Sequence, residues 1–147
     1  MLAPYLDGHP DDIGAYKLCA EIHFKLGRRE EGFLFAIRAF ELNRADIDYG
    51  LDCAFNLVRA GRRNDALRIA LLISELSPEN PYHCDTLGTV FTHCEVPEKA
   101  IPHFERAAST DPLARSPSVF LQILLDTIGR PEEAQAEYLR SKDLVGD

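Results

Sequence analysis

Apolar positions along this chain recur at spacings of three and four, the period of amphipathic helices rather than the alternation of strands. The periodic stretches are separated by short polar loops: "KLGRREE", "RAGRRND", "HCEVPEK" and "TIGRPEE". The pattern predicts helices near 11–26, 46–60, 80–94 and 116–128, each followed by a second near 29–43, 63–76, 97–110 and 131–144. Gly27, Gly61 and Gly129 stand where a left-handed residue would end a first helix, because a side chain is costly there. Pro97 and Pro131 suit the first turn of a second helix, where a missing N–H costs nothing. Pro78 and Pro112 follow second helices and would stop them.

The loops keep a fixed interval. Gly27 and Gly61 are 34 residues apart, Gly61 and Gly129 are 68 apart, and the missing member falls on Glu95. Five residues after each come Gly32, Ala66, Ala100 and Ala134, again 34 apart. Small residues there let the two helices of a hairpin approach closely, with Leu87, Phe91 and Phe104 filling the space beside them. The third copy, "LGTVFTHCEVPEKAIPHFERAASTDP", sets Leu87-Gly88, Phe91, Ala100, Phe104, Ala107 and Pro112 at the spacing of a repeated helical hairpin. In this it resembles the tetratricopeptide repeat. The second copy keeps Gly61, Ala66, Ala70 and Pro78; the first keeps Tyr16, Ala20, Gly27, Ala36 and Ala39; the fourth keeps Gly129, Ala134 and Tyr138. The family's first-helix Trp is replaced by Tyr16, Gly50, Cys84 and Ser118.

The resemblance implies an all-α, right-handed superhelical solenoid of four tandem helix-turn-helix units. They would run over about 11–44, 45–78, 79–112 and 113–147. Residues 1–10 look like the remnant of a preceding repeat helix, since Pro10 lies 34 residues before Arg44, where a unit closes. The chain is therefore expected to be either a piece of a longer array or a protein with a degenerate first unit.

A net charge of −8 argues against nucleic-acid binding, which needs a basic face to displace counterions. No apolar run is long enough to span a bilayer, and the N-terminus lacks the basic start of a secretory signal. Cys19, Cys53, Cys84 and Cys94 form no CxxC pair, which suits reduced thiols in a cytoplasmic protein. His83-Cys84 and His93-Cys94 lie ten residues apart on one helix, about 15 Å of rise. That is too far to share a zinc, so no metal or other cofactor is expected. Cysteine packing explains these thiols better than reactivity does. Glu30/Glu31 and Glu132/Glu133 diverge around a helix and suit the positive N-terminal dipole better than catalysis. Arg28-Arg29, Arg62-Arg63 and Arg130 fall beyond first-helix ends, as dipole complements or as a basic edge for an acidic partner. No phosphate-binding loop, nucleophile elbow or HExxH is present, and no enzyme activity is expected.

In tetratricopeptide arrays the first helices line a concave face where peptides commonly bind. The resemblance places Lys17, Glu21 and Phe24 of the first unit on that face, then Asp48, Leu51, Asp52, Phe55 and Val58 of the second. Tyr82, Asp85, Thr89 and Thr92 follow, then Val119, Ile123 and Asp126. These residues make an aromatic and apolar floor edged by acids, although Leu51, Phe55 and Ile123 could equally be core. Relatives that grip acidic chaperone tails carry Lys, Asn and Arg where this chain has Glu21, Asp52, Tyr82 and Thr86; only Lys17 fits. The expected function is a protein-interaction scaffold for a peptide or protein segment with apolar anchors and basic character. Alternatives are the repeat segment of a larger enzyme such as a sulfotransferase or glycosyltransferase, a small chaperone of a secreted subunit, or self-association.

Overall fold

The computed structural model describes residues 3–110 and 116–144, and among them every regular element is an α-helix. A short α1 (Ala3–Gly8) precedes four hairpins. These are α2 (Ile13–Lys25) with α3 (Arg29–Leu42), α4 (Ile47–Arg59) with α5 (Arg63–Glu75), α6 (Pro81–His93) with α7 (Pro97–Thr110), and α8 (Ser116–Thr127) with α9 (Pro131–Leu144). Pro112 and the side chain of Val119 lie outside the described residues.

First helices begin on side-chain caps that satisfy amides with no intrahelical partner. Asp12 accepts from the Ala15 N–H at 3.0 Å, Asp46 from Tyr49 at 3.2 Å and Asn80 from Tyr82 at 2.8 Å. They all end alike. Arg28, Arg62, Val96 and Arg130 each donate a backbone N–H to the carbonyl five residues back, to His23, Leu57, Phe91 and Leu125. That bond closes a Schellman turn, whose preceding residue must be left-handed. Gly27, Gly61 and Gly129 take it at φ 76°, 79° and 83°, and Glu95 takes the same conformation at φ 63° with a side chain to accommodate. The turns therefore place the two helices of every hairpin at one relation, and the hairpins stack into a solenoid.

Within each hairpin the predicted small residues lie at the closest approach: Gly32, Ala66, Ala100 and Ala134 are all buried. Each second helix also packs on the first helix of the next hairpin, and α4 packs on α6. One apolar core thus runs from Ala20 in α2 to Ala134 in α9, with Phe40, Leu57, Leu87, Phe91 and Phe104 fully enclosed. Gly88 is required by this packing, because a Cβ there would lie 2.7 Å from the Phe104 ring. Pro97 and Pro131 open α7 and α9 as expected, and Pro81 opens α6 in the same way. Pro102, inside α7, was not anticipated; it removes one ladder N–H from an exposed turn.

At the N-terminal end the cover is incomplete. α1 brings only Leu6 against Ala15 and Cys19. Further along α2, Ile22 and Leu26 stay 40% and 61% exposed. In later hairpins Val90 is fully buried, Leu124 nearly so, and Ala60, Cys94 and Ile128 pack on the core, whereas Asn56, the counterpart of Ile22 in the second hairpin, is exposed.

Candidate functional site

The first-helix face carries two adjoining pockets. One, of about 370 Å³, lies where α2 and α3 meet α4 and is lined by Phe24, Arg29, Phe33, Asn56, Arg59 and Ala60. The other, of about 450 Å³, lies where α4 meets α6 and is lined by Asp48, Leu51, Asp52, Phe55, Tyr82 and Thr86, again with Asn56 and Arg59. The shared pair makes the two a single groove crossing α4.

Of the fifteen residues projected onto this face, six line the groove: Phe24, Asp48, Leu51, Asp52, Phe55 and Tyr82. Their exposures differ sharply. Tyr82 is 66% and Phe55 37% exposed, whereas Leu51, one turn before Phe55, is only 3% exposed and belongs to the core. Leu51 is thus a structural residue that shows the groove one edge, because α4 is pressed between two hairpins. Lys17 and Glu21 are engaged beside the groove. Lys17 donates to Asp46 Oδ2 at 3.2 Å and lies 4.4 Å from the centre of the Tyr49 ring; Glu21 pairs with Lys25 at 2.9 Å. The Thr89 hydroxyl donates back to the Asp85 carbonyl at 2.9 Å.

The acidic edge is real but not uniform. His83 Nε2 donates to Asp48 Oδ1 at 2.8 Å across α4 and α6, while Asp52 has no ion-pair partner among the described residues. Asp85 is half-buried with Oδ1 unpartnered, and burial holds its carboxyl above the usual carboxylate range. Its position matches the core residue Leu51 one repeat earlier, so the chain keeps an acid where its own repeat tolerates a hydrocarbon. An unpartnered buried oxygen costs about 1 kcal/mol or more. Asp85→Leu is therefore expected to stabilise the fold by about 1 kcal/mol at pH 7. Because the folded carboxyl titrates high, wild type recovers stability as pH falls through that raised value. The gain should accordingly vanish toward pH 3, which urea titrations of both proteins across that range would read.

Asn56, Arg59, Arg29 and Thr86 line the groove without having been predicted as floor residues. Arg29 and Arg59 have no ion-pair partner among the described residues, whereas Arg62, in the neighbouring loop, pairs with Glu30 at 3.1 Å and Asp65 at 2.7 Å and lies over Phe33. Arg62 thus joins two hairpins, a more specific role than dipole complementation.

The thiols carry no reactive signature. Cys19, Cys53 and Cys84 are buried, and burial pushes every one of the four above its ordinary value, Cys53 to about 12. Cys94 ends α6, and Cys84 Sγ donates to the Pro78 carbonyl at 3.2 Å. On the second-helix side, Ser74 Oγ and His103 Nε2 are 3.0 Å apart. Burial and Arg106 hold that imidazole below its usual value, its ring stacks on Phe91, and no acid orients it among the described residues. This is a neutral hydrogen bond between α5 and α7. No group of three or more metal-capable side chains occurs among the described residues, and no helix there is long and apolar enough to cross a membrane.

Several solved structures share this architecture. MamA AMB-1 superposes with a TM-score of 0.72 at 18% identity, over 92% of this chain and 75% of its own. YrrB, a TPR protein with an unusual peptide-binding site, gives 0.68 at 18% identity, over 97% and 74%. MamA from Desulfovibrio magneticus RS-1 gives 0.67 at 15% identity, over 97% and 81%. The chain has the tetratricopeptide-repeat fold. No protein-family model and no curated protein matches its sequence, so the likeness rests on the arrangement of the helices. The two pockets are lined mainly by residues of α2, α4 and α6, with Arg29 and Phe33 of α3 completing one of them.

Proposed function

We propose that this protein is an interaction scaffold whose first-helix groove binds an extended or helical segment with apolar anchors and a basic residue. The observation that carries this reading is the continuity of the two pockets across α4, which sets solvent-accessible Phe24, Phe55 and Tyr82 beside the Asp48/Asp52 edge. Accessible aromatics in concavities supply much of the energy of binding, and nearby carboxylates set charge preference and association rate. A peptide-binding TPR protein among the structural neighbours agrees with this reading.

Fluorescein-labelled peptides with Leu and Phe anchors and one to four lysines would test it by anisotropy. Wild type should bind them with an affinity that falls as salt rises. Asp48→Lys/Asp52→Lys should bind at least tenfold more weakly, with a shallower salt dependence. Unchanged affinity and salt slope in that variant would remove the acidic edge from the reading.

A second reading, self-association, is favoured by one observation: Ile22 and Leu26 are open where the equivalent positions of the third and fourth hairpins are packed. Patches of this kind mark contact surfaces. Mass measured by light scattering should then rise with concentration for wild type and stay at one copy for Ile22→Asp/Leu26→Asp. A wild-type mass independent of concentration would exclude it.

A further inference from the structure

We infer that the groove is bipolar, and that the pocket between the first two hairpins binds an acidic side chain of the same segment whose basic residue meets Asp48 and Asp52. This deepens the groove reading above and rests on it. Charge complementarity carries it. Arg29, at the start of α3, and Arg59, at the end of α4, line one pocket of about 370 Å³ together with the Asn56 amide. Both guanidiniums are exposed, and neither has an ion pair or hydrogen-bonded acid among the described residues. Arg62, Arg63 and Arg68 are by contrast committed to Glu or Asp side chains, while Arg28 beside Arg29 shares its lack of an ion pair among the described residues. Two like charges lining one pocket with no counter-ion among the described residues favour a carboxylate there, the group a guanidinium fork fits best.

The aromatic walls say which kind of carboxylate. Phe24, 37% exposed, lines the same pocket as the arginines, over the buried edge of Phe33. A chain that runs on past the charge uses that surface, whereas a chain ending at it would not. An Asp or Glu within the segment is therefore the occupant, rather than a terminal carboxylate.

The two charge preferences also fix a spacing. Asp52 and Arg59 lie on the same helix seven residues apart, roughly 10 Å of rise at 1.5 Å per residue. An extended segment covers that distance in about three residues at roughly 3.3 Å each. The ligand pattern is a basic residue and an acidic residue about three apart, with an apolar or aromatic residue between them over Phe55. A net-neutral segment of this pattern would bind a chain whose net charge is −8 without needing an overall positive partner.

The experiment uses a set of labelled twelve-residue peptides with a fixed Leu-Phe core. One lysine is held constant, and a glutamate is placed one to six residues away, with an amidated or a free C-terminus. Binding is read by anisotropy against wild type, Arg29→Glu/Arg59→Glu and Asp48→Lys/Asp52→Lys, after a thermal melt shows each variant folded. Affinity should peak at a spacing of about three, at least fivefold above the peptide lacking glutamate. The arginine reversal should lose at least tenfold on that peptide and recover when its glutamate is replaced by lysine. If every lysine peptide binds but glutamate changes nothing at any spacing, the acidic subsite is wrong and the groove reading stands. If only a free C-terminus confers the gain, the pocket takes a terminal carboxylate and the internal acidic residue is overturned. If no peptide binds at any spacing, the groove reading fails and takes this inference with it.

Discussion

Phe40→Ala is expected to lower the unfolding free energy by about 3–5 kcal/mol, the range for deleting a fully enclosed aromatic side chain. Phe40 is wholly buried in α3, and its ring occupies the space directly above Gly50 on α4. A Cβ at residue 50 would lie 2.4 Å from Phe40 Cε1 and 2.9 Å from Ile73 Cδ1. The ring therefore fills, from the preceding hairpin, the room that a large first-helix side chain would otherwise take. Gly50→Ala should cost about 1–3 kcal/mol by overpacking. That loss comes despite a gain of up to about 1 kcal/mol in intrinsic helix propensity, so the measured value understates the clash. In the Phe40→Ala background the same substitution meets a cavity, and its cost should disappear or change sign. Urea denaturation of the four proteins closes the cycle, with constant m-values as the check on two-state unfolding. Strict additivity would show that the two residues do not compete for one space.

The sequence carried the helices and their turns because both are local. Register alone placed Glu95 among the loop glycines, and it shares their left-handed backbone and the five-residue bond that closes each turn. Burial of Ala66, Ala100, Leu87 and Phe104 followed from the same interval, since each repeat packs on a copy of itself. What escaped was set by non-local contact. Nothing near Gly50 in sequence points to Phe40, ten residues earlier on another helix. The groove was legible in its aromatic and acidic members, which sit at inward positions of first helices, but not in Arg29, Asn56 or Arg59. Those three line the pocket because α2, α3 and α4 come together there, an arrangement that periodicity within one helix does not encode. Leu51 and Phe55 show the same limit from the other side. Four residues apart on one helix face, they are equivalent by pattern and are separated only by how closely α6 approaches α4.

That separation yields the second large prediction. Leu51→Ala should cost about 2–5 kcal/mol of stability, as for other buried leucines, and should weaken peptide binding mainly through the loss of folded protein. Phe55→Ala should behave in the opposite way. More than a third of its surface is open, and it meets the His93 ring edge-on at 6.4 Å between ring centres. Its removal should change stability by no more than about 1 kcal/mol while weakening a Lys-Leu-Phe probe at least tenfold, which corresponds to about 1.4 kcal/mol of binding. Both quantities come from the same preparations: urea titration gives stability, and anisotropy at a temperature where each variant is over nine-tenths folded gives affinity. Dividing out the unfolded fraction should restore the affinity of Leu51→Ala almost to wild type and leave that of Phe55→Ala untouched. If Phe55→Ala instead binds the probe as wild type does, the aromatic floor is not the binding surface. An affinity loss in Leu51→Ala that survives the correction would mean either that α4 shifts when its core contact is trimmed or that the edge of Leu51 lining the pocket touches the ligand.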